Sequence, residues 1–203
     1  KWSPDGKWIA FKSSRDGRGN IWIVPAKGGT ARRVCGDELM PLDWFPDSRH
    51  IFAHGYSSST RLGFYKIDAE TGEVTELVTF GDNFGKLARD GRSIVFNWRG
   101  DPYRERYQGS DSGELWRYDI ADGSFIKLTH TLFTERYPVC SWQSNDVYYC
   151  ASDGDVFQIF RAAGGDFDHP EQLTNFDVWS ARDPDMARQN DRTGLRAGDA
   201  VSL

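Results

Sequence analysis

Four times along the chain the same short pattern returns. It reads WSPDGKWIAF at 2–11, WFPDSRHIFA at 44–53 and LARDGRSIVF at 87–96. WQSNDVYY at 142–149 is the same element with a turn shorter by two. Each is an aromatic or apolar residue, a polar turn with Asp or Asn, then a short apolar run. A second element follows: NIWIVPAKGG at 20–29, LGFYKIDAETG at 62–72, ELWRYDIADG at 114–123 and VFQIFRAAGG at 156–165. Each is a run of strand-forming residues ended by a Gly turn. A third element closes the unit: ARRVC at 31–35, VTELV at 74–78, FIKLT at 125–129 and EQLT at 171–174. The closing glycines Gly29, Gly72, Gly123 and Gly165 stand 43, 51 and 42 residues apart, so one period holds with a single insertion.

A unit of about 40–45 residues with about four short strands is the size of a propeller blade. One such sheet cannot bury both its faces, so neighbouring units must stack on it. The expected fold is therefore all-β, a β-propeller of four-stranded antiparallel blades. About four blades are present, near 1–36, 37–80, 81–130 and 131–175. Residues 176–203 are expected to hold the start of an incomplete fifth blade and an irregular tail. The chain opens inside a repeat, so an open arc of a larger six- or seven-bladed propeller is expected. Its exposed edge strands would favour homo-oligomers.

Trp22, Tyr65 and Trp116 fall at one equivalent repeat position and are expected to fill the wedge between blades. Asp5-Gly6 and Asp90-Gly91 suit a tight turn, because Gly accepts positive φ and Asp bonds nearby amides. Asp47-Ser48 and Asn145-Asp146 are weaker forms of it. One acidic residue per repeat argues for turn chemistry rather than a catalytic carboxylate pair.

Composition agrees with an all-β domain: 14% aromatic residues and 21 glycines in 203 residues. The net charge of -5 comes without a basic block, which disfavours nucleic acid as a partner. No apolar run is long enough to span a membrane. A cytoplasmic compartment is expected, or a periplasmic or secreted one if a leader precedes residue 1. Cys35, Cys140 and Cys150 lack CxxC spacing and are expected to be buried thiols, with a Cys140–Cys150 bridge as the alternative.

The chemical motifs are weak. His50 and His54 are four apart on a strand, which is no metal spacing, and no HExxH or CxxC accompanies them. GxSxG is absent. GGDFDHPEQ at 164–172 lacks the alternating carboxylates of a calcium loop. Arg99-Gly100-Asp101 is an RGD tripeptide of the kind that recurs by chance. No catalytic residue, metal or cofactor is expected in this chain.

One loop stands out. Phe96 to Leu115 is 19 residues, against 10 from Phe11 to Ile21. Long loops often carry function. This one contains Trp98, Arg99, Tyr103, Arg104, Arg106 and Tyr107. Arginine forks match carboxylates and aromatic rings offer stacking surface. These six residues are candidates for contact with a peptide or with another domain. A solvated hairpin or a contact to the neighbouring blade is the plainer alternative.

The repeat set WSPDGKWIAF, NIWIVPAKGG and ARRV resembles TolB-like propellers across residues 1–175. A narrower resemblance rests on NWRGDPYRERYQGSDSGELWRYDIADGSFIKLTH, ERYPV and PEQLTNFDVWSARDP. These are similar to the propeller region of tricorn-type proteases, serine peptidases of the S41 class. That resemblance implies a propeller that guides or filters peptides toward a separate protease domain. The catalytic residues would lie in that domain, so the partners would be peptides or the protease domain of the same parent chain. Two other readings stay open: a TolB-like interaction propeller, and the gating propeller of a prolyl-oligopeptidase-type enzyme.

Overall fold

The computed structural model describes the chain except residues 18, 37, 58–61, 80–83, 101–106, 108, 153–155, 178–179, 182–183, 187–200 and 203. It is built from antiparallel sheets, and the chain divides into two compact units, Lys1–Asp82 and Asn83–Leu203.

The first unit holds two sheets. The first is β1 (Trp8–Ser13), β2 (Asn20–Pro25) and β3 (Arg32–Arg33), with a bridge from Trp2 to Ile9 standing where the other blades have a first strand. The second is the meander β4 (Glu38–Trp44), β5 (His50–Tyr56), β6 (Gly63–Asp68) and β7 (Val74–Thr79). Strand β4 lies over β1 and β2. Alternation along the strands then decides which side chains meet. Ala10, Ile21 and Ile23 of the first sheet pack with Leu39, Trp44, Ile51, Ala53, Tyr65 and Ile67 of the second.

The second unit repeats this plan. One sheet is β8 (Gly85–Leu87), β9 (Ser93–Trp98), β10 (Glu114–Asp119) and β11 (Phe125–Lys127). The other is β12 (Glu135–Cys140), β13 (Val147–Ser152), β14 (Phe157–Ala162) and β15 (Glu171–Gln172). Strand β12 lies against β8, β9 and β10. The core between the sheets joins Val95 and Leu115 to Cys140, Val147, Tyr149 and Ala162. A short pair, β16 (Asp185–Met186) with β17 (Val201–Ser202), follows.

The wedge position fills where a preceding blade exists within the unit. Tyr65 is fully buried, facing the first sheet. Trp22 and Trp116, each in the first sheet of its unit, are only half-buried. Trp22 instead stacks beneath the Arg15 guanidinium, 4.7 Å from its ring centroid. Trp116 donates its Nε1–H to Glu114, 3.2 Å away.

The turns follow the repeat, with one substitution of means. Gly6 and Gly91 take φ of 68° and 69°, and Ser48 takes 58° at the matching place in the second blade. The shorter fourth turn works differently. Asp146 is buried and pairs with Arg161 at 2.8 Å, while its other oxygen accepts Gly164 N–H at 2.7 Å. Blade two has the reversed pair at the same strand ends, Arg49 to Asp68 at 2.6 Å. Asp146 is therefore a strand-end ion pair as well as a turn residue.

Asp68 also accepts the N–H groups of Glu70 and Thr71, 2.8 and 3.0 Å away. The Thr71 amide, with help from Arg49, holds its carboxyl well below the usual aspartate range. A depressed pKa adds stability above the ordinary aspartate value and loses it as pH falls toward the folded one. Asp68→Asn is accordingly expected to lower the urea midpoint at neutral pH and to flatten the acid limb below about pH 4. A variant profile parallel to wild type would contradict that assignment.

Cys35, Cys140 and Cys150 are buried and form no disulfide. Cys140 belongs to the core between the two sheets, whereas Cys150 packs with Phe157, Ile159 and Ala181 on the other face. A Cys140–Cys150 bridge is thereby ruled out by their opposite orientation.

Candidate functional site

The long connection leaves the ladder where Trp98 pairs Glu114. Arg99 and Gly100 then turn the chain at φ of 62° and 86°. The Arg99 Nη1 donates to the Ser110 carbonyl at 2.8 Å, closing the mouth of the insertion on itself. Gly109 N–H donates to Ser112 Oγ at 3.0 Å, and Ser112 Oγ donates to the Leu132 carbonyl at 3.2 Å. Glu135 N–H donates to the Gly113 carbonyl at 2.8 Å. The base of the insertion is therefore seated on the start of β12.

That seat requires bare backbone. A Cβ on Gly113 would lie 2.8 Å from the Glu135 carbonyl and 3.0 Å from the Thr134 methyl. A Cβ on Gly100 would lie 2.7 Å from the Gly113 Cα. Gly113→Val should cost about 1–3 kcal/mol through this overpacking, read as a lowered urea midpoint. An unchanged midpoint would show that the seat yields freely.

Of the six candidate residues, Trp98 and Tyr107 are half-buried at the base and Arg99 is exposed. Tyr103, Arg104 and Arg106 lie outside the described residues. The structure adds residues that the loop reading did not single out. Strand β12 carries Glu135 and Arg136, both 2% exposed. Charged side chains are rarely so buried without a dedicated environment. The visible sign was a Glu-Arg pair opening an otherwise apolar strand.

The two side chains lie on opposite faces because they are adjacent on a strand. The Arg136 guanidinium sits 4.4 Å from the Tyr137 ring centroid and 5.8 Å from that of Phe157. Tyr137 adopts φ of 53°, within a bulge between Arg136 and Val139. Bulges re-aim side chains, and Pro138 without an N–H suits this first strand of its sheet.

Glu135 faces the third blade. Thr129 Oγ1 donates to its Oε2 at 3.2 Å, and Thr131 Oγ1 donates to its Oε1. Burial pushes its carboxyl up to about 7, against the pull of both hydroxyls. The Glu114 charge pushes the same way, while Lys127 opposes it. Lys127 is itself paired with Glu114 at 2.6 Å. Burial, then the Glu135 charge, raises the Tyr149 phenol above its ordinary range. The arrangement can hold or release a proton near neutrality. Among the described residues it presents no cluster of His, Cys, Asp and Glu that could hold a metal.

Stacked four-stranded meanders of this kind define a β-propeller, here with a seated insertion between the second and third strands of one blade. Residues 1–191 match the family of tricorn protease N-terminal β-propeller domains, and the chain belongs to that family. Tricorn protease homolog 1 of Streptomyces coelicolor is 28% identical over 134 residues, covering 62% of this chain and 12% of its own length. TolB from Acinetobacter baumannii superimposes with a TM-score of 0.68 at 20% identity, over 87% of this chain and 43% of its own. The β-propeller domain of the trilobed protease of Pyrococcus furiosus, of open velcro topology, gives 0.57 at 16%, over 91% of this chain and 71% of its own. The chain thus spans about an eighth of the length of that curated relative. Among the described residues no helix is long and apolar enough to cross a membrane.

Proposed function

We propose that this chain is a non-catalytic propeller segment of a tricorn-like serine peptidase, which guides or filters peptides toward a separate protease domain. The family match over residues 1–191 carries the reading. The insertion supports it chemically. Trp98, Arg99, Tyr103, Arg104, Arg106 and Tyr107 combine carboxylate-matching forks with stacking rings, on a base tied to β12 by the hydrogen bond from Glu135 N–H to the Gly113 carbonyl. A loop with a fixed root and a polar, aromatic span suits weak contacts with many peptides better than tight binding of one.

The test uses the complete polypeptide. Arg104→Ala/Arg106→Ala is expected to raise KM for long peptides about tenfold, the equivalent of about 1.4 kcal/mol, with hydrolysis of short substrates unchanged. Equal kinetics on both substrate lengths would remove the insertion from peptide handling. An absence of peptidase activity in the complete polypeptide would leave an interaction scaffold instead.

A further inference from the structure

Between residues 99 and 113 the insertion sets Arg99, Arg104 and Arg106 against Asp101, Glu105 and Asp111. It is neutral overall, so it exerts little pull on a charged peptide beyond a Debye length. Its arginine forks read carboxylates only at contact distance. Neither effect tells one uncharged side chain from another. Selection among uncharged side chains needs an apolar surface beside the arginines.

The root of the insertion offers one. Leu132 is 74% exposed, in the connection that leads into β12. A single exposed leucine is ordinary on a protein surface. Leu132 is distinguished by how it is held. Thr131 Oγ1 accepts Phe133 N–H at 3.1 Å, which makes Leu132 the central residue of a hydroxyl-closed turn. Its carbonyl accepts the Ser112 hydroxyl at 3.2 Å, and Ser112 is buried. The same Oγ accepts Gly109 N–H at 3.0 Å. Gly109 lies against the Tyr107 ring: a Cβ there would stand 2.8 Å from the phenol oxygen and 3.0 Å from Cζ. Tyr107 is half-buried.

One buried hydroxyl thus ties together a leucine and a tyrosine from two segments of the chain. The backbone under them is braced by Glu135 N–H on the Gly113 carbonyl and by Arg99 on the Ser110 carbonyl. A surface fixed in this way loses little freedom when a ligand covers it, so more of the apolar contact appears as affinity.

Resting on the reading that the insertion meets peptides, we infer that Leu132 and Tyr107 select among them, favouring large aliphatic or aromatic side chains over polar ones, with net charge of little consequence. Leu132 supplies the aliphatic contact and the Tyr107 ring the stacking one. Ser112 is a positioning residue for both.

Fluorescence anisotropy on the complete polypeptide tests this with two labelled peptides free of charged side chains. One has leucines spaced among glycines and asparagines, and the other has serines in their place. The leucine peptide is expected to bind about tenfold more tightly, changing less than about twofold between about 0.05 and about 0.5 M salt. Leu132→Ser, at an exposed position, should remove most of that difference, and Tyr107→Ser should reduce it. Ile126→Ser, at an apolar position of β11 that is 43% exposed, should retain it. Arg104→Ala/Arg106→Ala should weaken both peptides equally. Equal binding of the two peptides by wild type, or a leucine preference that survives Leu132→Ser, would overturn the inference and leave peptide handling by the insertion standing. A preference lost in Ile126→Ser, or lost with the two arginines alone, would also overturn the assignment to Leu132 and Tyr107. Binding of neither peptide would overturn both readings.

Discussion

Glu135→Gln is expected to stabilise the protein by about 2–3 kcal/mol near pH 8 and to change it little near pH 4. The sign follows from the direction of the shift. The carboxyl of an unfolded glutamate titrates near 4.5, and burial raises the folded value to about 7. Between those values the native state holds a proton that the unfolded state has lost. Stability at this residue is therefore full below the unfolded pKa and falls as pH rises toward the folded one. Gln mimics the neutral form and leaves nothing to lose. Urea unfolding at three pH values across that window checks it. Parallel wild-type and variant profiles would show that Glu135 titrates normally.

The second large effect is at Trp44. Its side chain is 0% exposed within the core of the first unit, and its Nε1–H donates to the Lys1 carbonyl at 3.0 Å. Trp44→Ala removes that bond and leaves a cavity among Ala10, Ile21 and Ile51, and should cost about 3–5 kcal/mol. Trp142 opens the matching motif in the fourth blade but is half-buried. Trp142→Ala should cost about 1–2 kcal/mol, since less surface returns to water. Equal costs at the two positions would mean that the motif tryptophan is structurally equivalent in both blades. Thermal or urea unfolding separates the cases.

Repeats made the fold legible because a blade is a local object. Its strands are neighbours in sequence, so strand patterning and turn chemistry alone outline each meander. Gly6 and Gly91 adopt the positive φ that their turns require, and Ser48 shows that the turn geometry outlasts the glycine. The tricorn-type resemblance came from the insertion and ERYPV, and the family match covers the same stretch. Burial at the wedge position was less legible. Trp22, Tyr65 and Trp116 are equivalent in the repeat, yet only Tyr65 is fully buried, because burial depends on which sheet lies opposite.

The chemistry of β12 was hidden for the same reason. Nothing near Glu135 in sequence says that the Gly113 carbonyl and the Thr129 hydroxyl come from the preceding blade to meet it. Asp146 looked like one more turn residue until its strand-end pairing with Arg161 set it beside the reversed Arg49–Asp68 pair. The sequence by itself determined the blade plan, the turns and the family, since all three are written in spacings shorter than one repeat. Only the tertiary structure decided which charges are buried and where a proton is held near neutrality. Desolvation depends on what packs across a blade junction, and no single repeat contains that information.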